Sequence, residues 1–339
     1  MKFLPYSNSM HKYKPKRKVN KLRIIEIVVV LLFLVTFFGM LYENISSHKM
    51  SIKAKGKGKY VSINEKKIYY DLIGHGKATI ILESDIGADH LEWSKLVKSM
   101  PKNFRVFYYD RAGYGLSEGA GKDVSIEDEV KDLSDILYKG AVNGPYIFVG
   151  NSYGSLLANN FAKMYPNEVI GSILINPILE KDLSSKETQK DLKKQIRNKS
   201  VQETFSSIGS IRILNNINVI KIRNDITSLL SEENAEVFNS FTVSKKYLKA
   251  YKEELNILKD YNLDLQQQGM LGDKPLVILL SENKGDEYIK EASKLAQLSS
   301  KSEVKVLPNI NNIPLEDENS IIFYLGNILK DTDKLSQKE

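Results

Sequence analysis

The chain has 339 residues, of which 42% are hydrophobic, and a formal net charge of +7 at pH 7. This length is enough for one large domain with an appendage, or for two modest domains. The absence of cysteine excludes disulfide bonds, thiolate metal sites and a cysteine nucleophile. Eight basic residues lie before residue 24 and five more lie between residues 49 and 59, so the positive charge indicates an anchor and not a nucleic-acid-binding face.

Residues 24–42 are apolar except for Glu26. At 1.5 Å per residue a helix of this length is roughly 28 Å long, enough to cross the hydrocarbon core of a bilayer. A signal peptide would have a shorter apolar core followed by small residues at a cleavage site, and residues 43–48 contain no such site. We therefore predict an uncleaved single-pass helix in the cell membrane. The basic tail over residues 1–23 predicts a cytoplasmic N-terminus and an extracytoplasmic C-terminal domain.

Residues 43–58 are polar and rich in lysine and glycine, which predicts a flexible linker. Its lysines could hold the domain near anionic lipid headgroups or wall polymers, although a solvated linker is the simpler alternative. Residues 332–339 form a charged tail.

Residues 59–331 alternate between strand and helix patterns, which predicts an α/β fold with a mostly parallel sheet and flanking helices. Residues 60–72 predict a hairpin with its turn at Asn64 and Glu65, and His75 is predicted to be an exposed loop residue. Ser125 and Asp128 match a variant of the capping box. Further strands are predicted at 79–82, 104–109, 146–150, 170–175, 275–280 and 304–307, and helices at 91–100, 125–137, 153–162, 286–298 and 318–329.

Strand patterns nearly vanish over residues 178–272, where the sequence is helical and charged. A helical insertion after a central strand is typical of a cap over a cleft. A packing appendage that gates nothing is the alternative.

The sequence Gly150-Asn151-Ser152-Tyr153-Gly154 joins a buried strand to a helix. This pattern predicts a nucleophile elbow, in which the serine sits in a strained conformation at the tip of a sharp turn. The backbone N–H of Tyr153, at the positive end of the helix, would then face the oxyanion that forms when a carbonyl is attacked.

With this elbow, three further segments make the chain resemble the α/β-hydrolase superfamily. Residues 82–87, Leu-Glu-Ser-Asp-Ile-Gly, are similar to its oxyanion loop, residues 110–117 match its segment after the fourth strand, and residues 271–277 resemble its entry into the penultimate strand. The resemblance implies that Ser152 is the nucleophile and that the N–H groups of Ile86 and Tyr153 are the oxyanion donors. Asp85 stands where the family usually has glycine, and a carboxylate there opposes the charge that the hole should stabilise unless it points away.

The resemblance also locates the general base after the last strand, where the family has histidine. Asn311 occupies that position here, and no histidine follows His90. An amide cannot act as a base at neutral pH. The family places its acid after one of two strands, which gives either Asn176 or one residue among Glu282, Asp286 and Glu287; Asp286 is our candidate.

His90 follows the oxyanion loop and is a weaker candidate for a replacement base. Asp110 and Arg111 are expected to fix their loop through a turn and an ion pair.

Two functions remain open. The first is a membrane-anchored serine esterase or amidase with Ser152 as nucleophile and impaired or absent triad activity. The second is a non-catalytic module at the cell surface that binds a small ester, lipid or peptide ligand or docks a partner. The sequence shows no metal-ligand cluster, phosphate-binding glycine loop or nucleic-acid motif, so we expect no cofactor and no nucleic-acid partner.

Overall fold

The structure is a computed structural model that describes residues 21–54, 58–119, 124–262 and 264–336. Most of the predicted basic tail, residues 55–57 of the predicted linker and residues 337–339 of the predicted charged tail lie outside these ranges.

The described strands form one eight-stranded sheet in the order β1-β2-β4-β3-β5-β6-β7-β8. β2 is antiparallel to its two neighbours, β1 and β4. The remaining neighbours, in the sheet order β4-β3-β5-β6-β7-β8, all pair in parallel. The predicted α/β fold with a mostly parallel sheet is therefore confirmed. The strands are β1 (Lys59–Ile63), β2 (Lys66–Ile73), β3 (Thr79–Glu83), β4 (Arg105–Tyr109), β5 (Tyr146–Asn151), β6 (Val169–Ile175), β7 (Leu276–Ser281) and β8 (Ser302–Leu307).

The helices lie on both faces of the sheet, between β6 and β7, and in an N-terminal extension. They are α1 (Lys21–Lys53), α2 (Ser94–Ser99), α3 (Ile126–Lys139), α4 (Tyr153–Met164), α5 (Glu180–Leu183), α6 (Lys186–Ser206), α7 (Ser210–Asn216), α8 (Asn224–Thr227), α9 (Glu232–Thr242), α10 (Lys245–Asp260), α11 (Asp286–Ser293), α12 (Ile313–Glu316) and α13 (Glu318–Ser336).

Every residue of the central strands β3, β5 and β7 is buried. A parallel sheet is covered by helices on both faces, so its inner strands are apolar throughout instead of alternating. Leucine and valine side chains of α3 and α4 pack on one face, and those of α2 and α13 pack on the other. The predicted capping box at Ser125 and Asp128 is present at the start of α3.

The segment between β6 and β7 is helical, as predicted, and contains α5 to α10. We refer to α5 to α10 with their connections, residues 178–272, as the cap. Its longest helix pair, α6 and α10, packs together, and α10 reaches the loop after β3 through Glu254, which accepts a hydrogen bond from the backbone N–H of Gly87 at 3.3 Å.

Helix α1 is long and apolar enough to cross a bilayer, and none of its most apolar stretch is buried in the protein. It continues to Lys53, so our prediction of a flexible linker was wrong for residues 43–53. The reason is tertiary packing: Glu43 pairs with Arg212 of the cap at 2.7 Å, and Met50 packs against the apolar cluster that contains Phe238. Such contacts stabilise a helix whose sequence alone does not require one.

Candidate active site

Strand β5 ends at Asn151 and α4 begins at Tyr153, so Ser152 alone joins them in a sharp turn. Ser152 at the tip has φ 48° and ψ −103°, a conformation that costs a non-glycine residue on the order of 1–3 kcal/mol. Glycine is required at position 154, because a Cβ there would overlap the carbonyl oxygen of Glu83. The local geometry is therefore that of a sharp elbow with Ser152 at its tip.

The Ser152 hydroxyl has no hydrogen-bond partner among the described residues, whereas its backbone N–H donates to Ile175 at 2.8 Å. Its side chain is partly exposed. No neighbouring base accepts its proton in this conformation of the described chain.

Both predicted oxyanion donors face the carboxylate of Asp85. The N–H of Ile86 donates to Asp85 Oδ1 at 2.7 Å, and the N–H of Tyr153 donates to the same oxygen at 3.4 Å. The carboxylate therefore does not point away, and its oxygen stands where these donors would receive the oxyanion of a substrate. A negative charge at this position repels a second one.

Arg223 of the cap holds Asp85 in place. Its Nη2 lies 3.0 Å from Asp85 Oδ2, and the Asp85 and Arg223 side chains are only 16% and 10% exposed. Arg223 also donates to the carbonyl oxygen of Ile86 and pairs with Asp225 at 2.8 Å. Burial acts to lower the pKa of Arg223, but Asp85, Tyr251 and Asp225 together outweigh burial and hold this pKa well above its usual range.

Glu92 also holds the loop that contains Asp85. Its carboxylate accepts hydrogen bonds from the backbone N–H of Asp85 at 2.9 Å and from the side chain of Asn151 at 2.8 Å. Burial and the nearby charge of Asp85 raise the pKa of Glu92 to about 7. Glu92 thus links the predicted oxyanion loop to Asn151, the residue before Ser152.

Arg111 fixes the loop from its other side. It donates to the carbonyl oxygens of Ser84 and Asp85, each at 2.9 Å, and its Nε pairs with Glu254 of α10 at 2.7 Å. The expected loop-fixing role fits this geometry, but the ion pair joins Arg111 to the cap and not to Asp110. Arg111 and Glu254 are positioning residues, because they shape the loop through its backbone.

Three carboxyl groups lie around Arg111, of which Glu83 and Glu254 are buried and Glu129 is half-buried. Burial raises the pKa of Glu83 to about 7 and that of Glu129 to about 8. Glu83 lies 3.8 Å from Arg111, and Glu129 accepts a hydrogen bond from the Tyr153 hydroxyl at 2.7 Å. With these raised pKa values both groups can take up a proton near neutral pH, which limits the negative charge around one guanidinium.

His90 pairs with Asp110 and not with Ser152. Its Nδ1 lies 2.8 Å from Asp110 Oδ1, and its backbone N–H donates to the same oxygen at 2.8 Å. Burial alone would lower the pKa of His90, but the charge and hydrogen bond of Asp110, together with the charges of Asp89 and Asp71, outweigh burial and raise this pKa to about 9. An imidazolium at neutral pH can neither accept a proton nor ligate a metal, although ligand atoms of Asp89, His90 and Asp110 lie within 4.8 Å of one another.

The predicted histidine position, Asn311, lies in the exposed loop between β8 and α12. Its side-chain oxygen accepts a hydrogen bond from Asn283 at 3.0 Å. The neighbouring carbonyl of Ile310 accepts from the Ser281 hydroxyl at the end of β7, so the two loops are joined. Asn311, at the position where the resemblance implies a histidine, is therefore paired with another amide.

Among the described residues, neither Asp286 nor Asn176 makes a side-chain hydrogen bond to Asn311. Asp286 begins α11 and is exposed, and its side chain makes no hydrogen bond to Asn311. Asn176, with φ 41°, follows β6 beside Ser152, but its oxygen accepts from the backbone N–H of Ser281 at 2.9 Å. Asn283 and Arg223, which sequence reasoning missed, lie in segments without a motif that could have identified them.

Known proteins provide an independent comparison. A family model described as serine aminopeptidase, S33, matches residues 87–253, a little under half of the chain. The uncharacterized protein YqjL of Bacillus subtilis is 31% identical over 106 residues, which cover 31% of this chain and 42% of YqjL. Human monoacylglycerol lipase ABHD6 is 30% identical over 106 residues, which cover 31% of this chain and 31% of the lipase. The matched segments thus span less than half the length of these curated relatives.

Comparison with solved structures shows a similarity in fold that covers most of the chain. The solved structure of a thermophilic esterase from Thermogutta terrifontis matches 81% of this chain and 99% of its own, with a TM-score of 0.61 at 18% sequence identity. Together with the sheet order, this likeness shows that the chain has the α/β-hydrolase fold.

Proposed function

We propose that this protein is a membrane-anchored member of the α/β-hydrolase superfamily. It binds an ester, lipid or peptide ligand at the cell surface and does not hydrolyse this ligand through a serine triad. The observation that carries the proposal is the Asp85 carboxylate, which accepts hydrogen bonds from both predicted oxyanion donors.

The position of Asp85 is unfavourable for acyl transfer. Attack by Ser152 would place a second negative oxygen at donors that a carboxylate already occupies, and like charges at contact distance repel strongly in a partly buried site. Loss of even one oxyanion donor costs roughly 100- to 1000-fold in turnover. We therefore expect Asp85, in the position it has in this structure, to lower the rate of acyl transfer.

Within the described part of the chain no side chain accepts the proton of the Ser152 hydroxyl, which supports the same proposal. Asn311 and Asn283 offer only amide groups, and His90 is held as an imidazolium by Asp110. A serine hydroxyl without a proton acceptor is a poor nucleophile.

Membrane anchorage through α1 is the second part of the proposal. A signal sequence is the rival interpretation, since it also places an apolar helix near the N-terminus. The continuation of α1 to Lys53 and its buried ion pair between Glu43 and Arg212 favour an anchor, because cleavage after the apolar segment would interrupt packing within the folded domain.

A cap-gated serine esterase is the second candidate, and two observations favour it. Ser152 keeps the strained elbow conformation, and Asp85 is held from outside the sheet by Arg223 of the cap. Displacement of Arg223 would free Asp85 to leave the two donors.

Hydrolysis of p-nitrophenyl butyrate by the full-length protein in nanodiscs separates the two candidates. We expect the parent and Ser152→Ala to hydrolyse the ester equally slowly. Hydrolysis by the parent that Ser152→Ala abolishes would refute the binding-only function. A gain of Ser152-dependent hydrolysis in Arg223→Ala, absent in the control Arg197→Ala on the exposed surface of α6, would support the gated esterase.

A further inference from the structure

The end of α6, helix α7 and the residues that follow expose several large apolar side chains. Phe205 is 50% exposed, Ile213 49%, Ile217 61% and Val219 65%. Single exposed apolar residues are common, but a group of them within one short segment marks a contact surface. We call residues 205–219 the apolar edge of the cap.

The apolar edge lies against the C-terminal end of the apolar segment of α1. A Cβ at Gly39 would overlap the carbonyl oxygen of Ile208, so the two backbones touch. The Tyr42 hydroxyl accepts a hydrogen bond from the Asn216 side chain at 3.1 Å. Gly39 lies within the predicted span and only about 4.5 Å along the helix axis from its end at Tyr42.

A buried polar network fixes this contact. Arg212 of α7 makes two hydrogen bonds of 2.7 Å to the Glu43 carboxylate and one of 2.8 Å to Ser240 of α9. Arg212 and Glu43 are 5% and 10% exposed. Helix α7 is therefore attached to α1 at Glu43, one residue beyond the predicted span. The position of α1 in a bilayer would then fix the distance of α7 from the hydrocarbon core.

We propose that the apolar edge of the cap inserts into the lipid leaflet from which α1 emerges, so that the domain contacts the membrane at a second place. This inference rests on the proposed membrane anchorage. A backbone that touches the last turn of a membrane span lies at the boundary of the hydrocarbon, and side chains such as Phe205 and Ile217 are of the type that interfacial helices bury there.

The test uses single-cysteine variants of the full-length protein, which contains no native cysteine. Phe205→Cys and Ile217→Cys are labelled with the polarity-sensitive fluorophore NBD and reconstituted in phosphatidylcholine–phosphatidylglycerol vesicles that contain doxyl-labelled lipid. The matched control is Phe323→Cys on α13, whose native side chain is 62% exposed. Val30→Cys, in the middle of the apolar segment, reports the anchor itself.

We expect blue-shifted emission and quenching by the doxyl chains at positions 205 and 217, and neither effect at position 323. Quenching at position 30 without quenching at positions 205 and 217 would overturn the inference and leave the anchor intact. No quenching at position 30 would refute the anchor. A blue shift at position 217 without quenching would overturn the inference in favour of a protein contact, such as a second copy of the chain.

Discussion

The ion pair between His90 and Asp110 predicts a contribution to stability that depends on pH. Replacement of His90 by glutamine removes the charge but keeps a side chain that can donate to the Asp110 carboxylate. Asp110 retains its backbone donors, the N–H groups of residue 90 and Leu116, each at 2.8 Å. The variant therefore isolates the effect of the imidazolium.

The magnitude follows from the pKa of His90, which is raised to about 9 in the folded protein. The ordinary value is about 6.5, so at about 1.4 kcal/mol per pKa unit the imidazolium stabilises the fold by about 3 kcal/mol. Because the folded pKa is the higher one, this contribution is complete below about pH 6.5 and is lost as the pH rises through about 9.

The assay is reversible urea unfolding of the full-length protein in detergent micelles between pH 6 and pH 10. We expect His90→Gln to be less stable than the parent by about 3 kcal/mol at pH 6, with a difference that shrinks towards zero above pH 9. His75→Gln, in an exposed loop, is the matched control and should follow the parent at every pH. A difference between parent and His90→Gln that stays constant over this range would refute the reasoning.

Two further substitutions test the packing around the cap and the elbow. Arg212→Met leaves the buried Glu43 carboxylate without its partner and should destabilise α7 by about 3–5 kcal/mol, measured by hydrogen exchange. Lys53→Met, which removes an exposed pair with Glu236, should cost at most about 1 kcal/mol, and equal effects would contradict the buried role. Gly154→Ala should lower the free energy of unfolding by at least about 1–3 kcal/mol in urea unfolding, because its Cβ overlaps the Glu83 carbonyl oxygen. Gly119→Ala, whose Cβ would meet nothing within 4 Å, should be neutral, and a neutral Gly154→Ala would show a looser elbow.

The fold could be predicted because its signals are local. Apolar runs marked the buried strands, and the turn at Asn64 and Glu65 has the positive φ values, 48° and 64°, that its hairpin requires. The linker was mispredicted because the helical state of residues 43–53 depends on Arg212, which is far away in sequence. Polar composition alone does not reveal such a partner.

The site could be predicted only in part. The elbow at Ser152 was predicted from the glycines at positions 150 and 154. The repulsion between the Asp85 carboxylate and an oxyanion was predicted from their like charges. The direction of the Asp85 side chain could not be predicted, because it depends on Arg223 from the cap. Glu254 left a weak signal: it follows Tyr247 and Tyr251 at helical spacing and is a polar residue on an otherwise apolar stripe.

The most direct test of a catalytically silent site is the reactivity of Ser152 towards a fluorophosphonate probe, measured by intact mass of the full-length protein in nanodiscs. The parent, Ser152→Ala and Asp85→Gly are compared under the same conditions. The N–H groups of Ile86 and Tyr153 donate to Asp85, and no side chain in the described ranges accepts the Ser152 proton, so we expect the parent to form no more adduct than Ser152→Ala. A stoichiometric adduct in the parent that is absent from Ser152→Ala would contradict this account and show that Ser152 is an activated nucleophile.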